Sequence, residues 1–344
     1  MEARLVKNMC YFCLLAILLL TLAERAGSTA PAACGNIPDA GGRINAVKSF
    51  PGVRADEKVI NVINHPAFEG FGRFLFPAGN RRPDEDMRLD AIAPLLPYHS
   101  NINTDTTTGV LGYMLNEAGN GKTIFYDIYT EEEKTADLTK ENTGLFFFRG
   151  EPGAPFAVIC AGGGFSYVGS IHESLPHALE LSKKGYNAFV LQYRTGGADI
   201  ACKDLAAAIS LIFKNADSLR VRTDCYSLWG GSAGARMAAY LGSYGPAAFG
   251  GGDLPKPGAV IMQYTGYSDY TESDPPTFAV VGENDGIADW RTMEQRINAL
   301  KEAGVDAKFH KYPNLGHGFG LGIGTSAEGW LDDAAAFWEK QINR

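Results

Sequence analysis

From about Thr123 onward, short apolar segments of the chain alternate with segments of helical periodicity. Parallel strands need a crossover connection, usually a helix, so this alternation predicts a mainly parallel eight-stranded sheet with helices on both faces. No helical pattern separates the first two strands, which are predicted to pair antiparallel across a charged loop, Glu131 to Glu141. The predicted strands are 124–129, 144–149, 156–160, 188–193, 226–229, 259–263, 277–281 and 308–312, and the predicted helices lie near 173–184, 199–215, 233–241, 289–303 and 328–341.

A candidate nucleophile lies in Gly230-Gly231-Ser232-Ala233-Gly234, which fits the pattern G-x-S-x-G. In that pattern the serine occupies a strained turn from strand to helix, and the glycines let the two elements approach closely. Here the segment follows an apolar strand and opens an alanine-rich helix, and the pattern occurs once in the chain. This context favours Ser232 as a nucleophile over the alternative of a small-residue turn without chemistry.

A glycine-rich loop, Ala161-Gly162-Gly163-Gly164-Phe165, follows the predicted third strand. Glycines allow backbone N–H groups to point at a developing negative charge without obstruction by side chains, so the loop is predicted to stabilise an oxyanion. A flexible loop without this function is the alternative. The pattern G-x-G-x-x-G is absent, so the loop does not predict a phosphate site.

Two histidines, His310 and His317, follow Ser232 in the chain. His310 falls inside the last predicted strand, whereas His317 lies in Gly316-His317-Gly318-Phe319, just beyond that strand, where the ring has access to the serine. The sequence therefore predicts His317 as the general base. The histidines that precede the serine lack zinc-ligand spacing and are interpreted as structural, with His172 also a possible substrate contact; they are His65, His99, His172 and His177.

The acid of the triad is expected just after the seventh strand, where the chain runs Gly282-Glu283-Asn284-Asp285-Gly286. Asp285 is the predicted carboxylate, and its role is to hold the imidazole through the ring N–H. Glu283, very close to the strand end, and Asp289, which resembles the N-cap of the next helix, remain alternatives.

Taken in order, A-G-G-G-F, G-G-S-A-G, G-E-N-D-G and G-H-G-F resemble the esterase branch of the α/β-hydrolases, which includes hormone-sensitive-lipase-like acetyl esterases and carbohydrate acetyl and feruloyl esterases. The resemblance covers about Gly144 to Arg344. It implies the α/β-hydrolase fold and an oxyanion hole formed by the N–H groups of Gly163, Gly164 and Ala233. The chain departs from the lipase-like pattern at Ala161, where a histidine is usual, and at Gly231, where an acidic residue is usual.

A loop after the sixth strand carries Tyr264, Tyr267 and Tyr270 at the sheet edge where the catalytic residues are expected to collect. Aromatic rings with hydroxyl groups suit the faces of sugars, although the tyrosines could instead pack the loop onto its own domain. No long helical lid is inserted here, and the resemblance points to short acyl groups. We therefore predict a serine esterase that hydrolyses short-chain esters, acetyl esters of small molecules or carbohydrates above all. The predicted substrate contacts are Phe165, His172, Tyr264 and Tyr267.

Two other functions remain alternatives. One is an exopeptidase of the prolyl-oligopeptidase type, for which the chain has no room for a β-propeller upstream of Gly144. The other is a non-catalytic binding protein of the hydrolase fold, a class that usually lacks a member of the triad. A net charge of −8 and the lack of a Lys/Arg cluster disfavour nucleic-acid partners. No metal and no cofactor are predicted.

The N-terminal segment has its own pattern, since Arg4 and Lys7 precede an apolar run from Met9 to Ala23. This pattern predicts a signal peptide within residues 1–28 and export of the protein, with membrane association only if the segment stays uncleaved as an anchor. Residues 29–121 are predicted to be an N-terminal extension that packs on a catalytic domain of residues 122–344. A separate small domain is the alternative.

Overall fold

The computed structural model describes residues 52–77 and 82–344. The segment interpreted as a signal peptide or anchor and the first part of the predicted extension lie outside the described residues. Within them, no helix combines the length and the hydropathy that crossing a membrane requires.

The described residues form a sheet of eight strands in the order β1-β2-β4-β3-β5-β6-β7-β8. From β4 across to β8 every neighbouring pair is parallel, while β2 pairs antiparallel with both β1 and β4. This confirms the predicted mainly parallel sheet and its antiparallel first pair. The strands are β1 Phe125–Tyr126, β2 Gly144–Phe148, β3 Pro155–Cys160, β4 Asn187–Gln192, β5 Arg222–Gly231, β6 Ala259–Gln263, β7 Thr277–Gly282 and β8 Ala307–Tyr312.

The central strands are mainly apolar because helices cover both faces of the sheet. Every residue of β3, β6 and β7 is buried. Trp229 of β5 packs against Trp330 and Trp338 of the last helix, while the helices after β4 and β5 pack on each other. The helices are α1 Val59–Ile63, α2 Thr104–Gly119, α3 Glu131–Ala136, α4 Ser174–Lys183, α5 Ala198–Lys214, α6 Ala216–Leu219, α7 Ala233–Tyr244, α8 Trp290–Glu302 and α9 Trp330–Ile342.

Two of the helices that the sequence did not predict lie on either side of β1. The charged loop between β1 and β2 contains α3, whose start has a capping box in which Thr130 and Glu133 satisfy each other's backbone N–H groups. The longer helix α2 has an Asn103 N-cap and was not predicted, since its threonines and glycines have low helix propensity. Burial of Val110, Leu111 and other apolar side chains against the core stabilises it nonetheless.

The described residues before β1 share one hydrophobic core with the sheet. Val59, Phe68, Leu75 and Leu96 are fully buried in it. This part of the chain also reaches the edge of the sheet where the strands β3 and β5 to β8 end, because Ser100 N–H donates to Gly318 O at 2.9 Å.

Candidate active site

Ser232 lies in the sharp turn between β5 and α7, with φ 51° and ψ −112°. A positive φ is uncommon for a residue with a side chain and is stabilised here by the surrounding packing. The flanking glycines are required by close approach: a Cβ on Gly230 would lie 2.2 Å from the carbonyl carbon of Gly234, and one on Gly234 would lie 2.0 Å from Cys160 O. The turn therefore presents the Ser232 hydroxyl at the carboxyl edge of the sheet.

His317 reaches Ser232 from the loop that follows β8. Its Nε2 lies 3.0 Å from Ser232 Oγ, and its Nδ1 lies 2.8 Å from Asp285 Oδ2. The loop is fixed on its other side by Ser100 Oγ, which donates to His317 O at 2.7 Å. The imidazole thus bridges the hydroxyl and the carboxylate in the order that proton transfer requires.

Asp285 is oriented by its own loop. Its Oδ1 accepts the N–H groups of Ile287 and Ala288 at 2.8 and 2.7 Å, so Oδ2 is left for His317. With the His317 ring over it, the Asp285 side chain is fully buried. A carboxylate held in this way fixes both the tautomer and the orientation of the ring.

The alternative residues stay away from the serine. Glu283 pairs with Lys311 at 3.1 Å, and Asp289 caps α8 by accepting Arg291 N–H at 3.0 Å. His310 lies on β8, half-buried against the ring of Phe278 at 5.4 Å. The structure therefore brings Ser232, His317 and Asp285 together and none of the alternatives.

The glycine-rich loop after β3 lies directly against the nucleophile turn, since a Cβ on Gly162 would be 2.9 Å from Ser232 Cβ. Gly163 and Gly164 have φ values of 135° and 61°, which only glycine adopts readily. Their N–H groups and that of Ala233, at the start of α7, donate to no acceptor within the described residues. The three predicted oxyanion donors therefore have their N–H groups available beside Ser232.

A pocket of about 510 Å³ opens in front of Ser232 and His317. Phe165, Tyr264 and Tyr267 line it, as predicted for substrate contacts, together with Arg236, Thr265, Ser268, Asp269 and Ile287. The Tyr264 ring is fully buried, and its hydroxyl donates to Glu173 at 2.7 Å, so that hydroxyl is not available to a substrate. Tyr267 packs on the ring of Tyr240 at 4.8 Å.

His172, also predicted to contact substrate, does not line this pocket. Its Nε2 lies 3.0 Å from Gly318 O, so the ring supports the loop that carries His317. Burial, followed by the nearby His99, lowers the pKa of His172 to about 4. His172 is kept out of the pocket because the chain turns at Gly169, where Gly169 O accepts the backbone N–H of His172 at 3.1 Å. The turn places the His172 ring behind the oxyanion loop.

Sequence reasoning missed a buried carboxylate behind the nucleophile. Glu173 accepts hydrogen bonds from Gly162 N–H, from the Tyr264 hydroxyl and from His99, whose Nε2 lies 2.9 Å away. The other ring nitrogen of His99 lies 2.9 Å from the Tyr167 hydroxyl. One sequence signal could have indicated such a carboxylate, namely Gly231, which occupies the position where the lipase-like pattern has an acidic residue.

No group of three or more His, Cys, Asp or Glu residues within the described ranges is placed to hold a metal ion.

The comparisons with known proteins agree on the fold. Residues 149–302 match the family BD-FAE, and no curated protein is similar to the chain in sequence. An acetyl ester-xyloside bifunctional hydrolase from Caldicellulosiruptor lactoaceticus has a TM-score of 0.55 and 20% identity, over 63% of this chain and 95% of its own. An α/β-hydrolase enzyme, MGS-M1, from a Medee basin deep-sea metagenome library has a TM-score of 0.52 and 22% identity, over 59% and 93%. An esterase from Thermogutta terrifontis, Est2, has a TM-score of 0.50 and 18% identity, over 58% and 89%.

Proposed function

We propose, from the α/β-hydrolase fold of this chain and the match of residues 149–302 to the family BD-FAE, that the protein is a serine esterase for short-chain carboxylic esters, acetyl esters of carbohydrates above all. The observation that carries the proposal is the continuous contact from Ser232 Oγ through the imidazole of His317 to Asp285, at 3.0 and 2.8 Å. A serine hydroxyl is a weak nucleophile unless a neighbouring base removes its proton.

In the proposed reaction, His317 Nε2 takes the proton from Ser232 Oγ while that oxygen attacks the ester carbonyl carbon. The carbonyl oxygen becomes an oxyanion and accepts hydrogen bonds from the N–H groups of Gly163, Gly164 and Ala233. The bond to the alcohol oxygen then breaks, and the imidazolium gives its proton to the departing alcohol. Asp285 stabilises the charged ring throughout.

An acyl group on Ser232 is left behind, and water removes it by the same route. His317 takes a proton from the water, whose oxygen attacks the acyl carbon, and returns the proton to Ser232 Oγ as the acid leaves. The atoms balance without a metal or an organic cofactor, since the only transferred groups are the acyl group and protons.

The pocket supports a short acyl group on a polar alcohol. Its wall next to the triad is aromatic and aliphatic, through Phe165 and Ile287, while Arg236, Ser268 and Asp269 supply polar groups. A volume of about 510 Å³ accommodates a small acyl group together with part of a sugar. The Caldicellulosiruptor hydrolase acts on an acetyl ester, and propionate is bound to the Thermogutta esterase, which supports the same size of acyl group here.

The test compares p-nitrophenyl acetate with p-nitrophenyl dodecanoate at equal concentration and then measures acetate release from acetylated xylan. We expect kcat/KM to be at least about tenfold higher for the acetate ester, because a short pocket excludes the long chain. Ser232→Ala, assayed in parallel, gives the background. A preference for the dodecanoate, with no acetate released from acetylated sugars, would overturn the substrate assignment.

We also propose export of the protein, supported by the basic and apolar pattern of residues 4–23. Cys225 is disulfide-bonded, a state that oxidising compartments favour. When the full-length chain is expressed in a bacterial host, the protein should be recovered outside the cytoplasm with its N-terminal segment removed. An uncleaved, membrane-bound product would instead assign residues 1–28 as an anchor.

A further inference from the structure

The space beside Gly231, the residue before the nucleophile, is filled by a carboxylate from another part of the chain. A Cβ on Gly231 would lie 2.7 Å from Glu173 Oε2 and 2.9 Å from its carboxyl carbon. Gly231 does not have a positive φ, since it is absent from the residues in that region of the backbone. Its lack of a side chain is therefore explained by the presence of Glu173 and not by backbone conformation.

Three donors from three separate elements converge on this carboxylate. They are Gly162 N–H of the oxyanion loop, the Tyr264 hydroxyl just after β6 at 2.7 Å, and His99 Nε2 from the segment before α2 at 2.9 Å. The side chains of Glu173 and His99 are each 1% exposed. A carboxylate sealed from water needs all of these donors, because none can be replaced by solvent.

The direction of the hydrogen bond between His99 and Glu173 follows from the charge of the carboxylate. Burial opposes ionisation of Glu173, but the neighbouring His99 and the hydrogen bonds to the carboxylate lower its pKa to about 2, so Glu173 is ionised at neutral pH. An ionised carboxylate only accepts hydrogen bonds, so His99 carries a proton on Nε2 and donates it to Glu173. On its other side, His99 Nδ1 lies 2.9 Å from the Tyr167 hydroxyl, which accepts Tyr98 N–H at 3.2 Å.

Two of the three donors, Gly162 and Tyr264, lie next to parts of the catalytic machinery. Gly162 precedes the oxyanion donors Gly163 and Gly164, and the Tyr264 ring lies 4.8 Å from the His317 ring. Glu173 itself does not line the pocket in front of Ser232. A residue so placed can orient the reacting groups without contacting the substrate.

We propose that Glu173 is a positioning residue for the esterase reaction, which ties the oxyanion loop, the nucleophile turn and the tyrosine beneath His317 into one unit. The proposal rests on the proposed function. Because Glu173 holds groups that act in the transition state and does not contact bound ester, its loss lowers kcat and leaves KM almost unchanged.

The first experiment is Glu173→Gln, which keeps the volume of the side chain but turns an amide N–H₂ toward one of the three donors. We expect kcat on p-nitrophenyl acetate to fall by about tenfold or more, with KM within about threefold of wild type. The affinity for a trifluoromethyl ketone, whose serine adduct places an oxyanion in the hole, should fall in parallel. Glu180→Gln is the matched control, since Glu180 is buried on α4, which begins directly after Glu173, and pairs with Lys183 outside the site.

The second experiment moves the carboxylate to the other side of the turn. Gly231→Asp alone clashes with Glu173, and Glu173→Ala alone removes the acceptor, so each single variant should lose activity. The double variant Glu173→Ala/Gly231→Asp places a carboxylate in the vacated space and should recover at least about tenfold in kcat over Glu173→Ala. This comparison stands even if Glu173→Gln folds poorly, because it measures recovery and not loss.

The inference would be overturned if Glu173→Gln kept the wild-type kcat, or if its kcat/KM fell only because KM rose. It would also be overturned if the double variant had no higher kcat than the two single variants. In each case the wild-type protein still hydrolyses the ester, so the proposed function is untouched. A wild-type protein that hydrolyses no ester and takes no fluorophosphonate label would instead contradict the proposed function.

Discussion

Ser232 lies between two buried carboxylates that differ in how the chain builds them. In front, Asp285 acts through His317, and its remaining oxygen is satisfied by the N–H groups of the second and third residues after it. Behind, Glu173 takes its donors from the oxyanion loop, from the residue after β6 and from the segment that precedes the sheet. A short loop therefore suffices to orient the reacting groups, whereas the support behind them depends on contacts between distant segments of the fold.

The largest effect is expected in front of the serine. Ser232→Ala and His317→Ala should each lower kcat by about three to six orders of magnitude, because nucleophile and base act as one unit. The measurement is kcat on p-nitrophenyl acetate. His310→Ala is the control, since that ring lies on β8 away from the serine, and it should stay within about twofold of wild type. Turnover near wild type in Ser232→Ala would remove the nucleophile from the account.

Asp285→Asn comes next in size. The amide keeps the shape but no longer holds the required tautomer of His317, so kcat should fall by about two to four orders of magnitude. Glu283→Gln and Asp289→Asn change the two neighbouring acids in the same way and should have effects of about twofold at most, the second because asparagine is also a good N-cap. A larger loss in either control than in Asp285→Asn would reassign the acid.

Behind the serine, His99→Ala removes one of the three donors to Glu173 and leaves the carboxylate short of a partner. We expect a loss of about 2–4 kcal/mol in the free energy of unfolding and a fall in kcat of about tenfold. His99→Gln offers an amide N–H to Glu173 and a carbonyl oxygen to Tyr167, so it should recover part of both losses. Equal stability and kcat in His99→Ala and wild type, measured by urea unfolding and by ester hydrolysis, would show that the cluster has no role in either.

The last prediction concerns acid stability and not catalysis. Burial lowers the pKa of His172 and of His177 to about 4, so between their usual value of 6.5 and about 4 the unfolded chain binds protons that the folded chain does not. The free energy of unfolding therefore falls as the pH falls through that range, by on the order of 3 kcal/mol for each histidine. His177→Leu should remove about half of this dependence, as measured by urea unfolding at several pH values. An unchanged pH dependence would contradict the burial argument.

The sequence was informative where local patterns decide the structure. Strands buried on both faces are mainly apolar, which makes β3, β6 and β7 recognisable in the sequence, and residues that follow such strands meet at one edge of a parallel sheet. For that reason the sequence predicts that Ser232, Asp285 and His317 lie close together. The helix α2 could not be predicted, because packing and not propensity stabilises its Thr- and Gly-containing sequence.

The contacts of Glu173 behind the serine could not be predicted from the sequence either, because they also depend on tertiary packing. Glu173 and Tyr264 are 91 residues apart, and nothing in the local pattern of either residue predicts their contact. His99 was interpreted as structural, and its ring lies against Glu173 behind the oxyanion loop. His172 was interpreted as structural or as a substrate contact, and its ring lies 5.4 Å from that of His99, outside the pocket in front of Ser232. Contacts between segments that are distant in the chain are decided by tertiary packing, and no periodicity records them.

The central claim is that Ser232 attacks the ester carbonyl, and the most direct measurement maps a covalent inhibitor on the chain. The wild-type protein is treated with a fluorophosphonate, digested and analysed by mass spectrometry while esterase activity is followed in parallel. We predict one label per chain, on the peptide that contains Ser232, with activity lost in proportion to labelling and no label on Ser232→Ala. Loss of activity with the label on another residue, or full activity in a protein fully labelled at Ser232, would contradict the account.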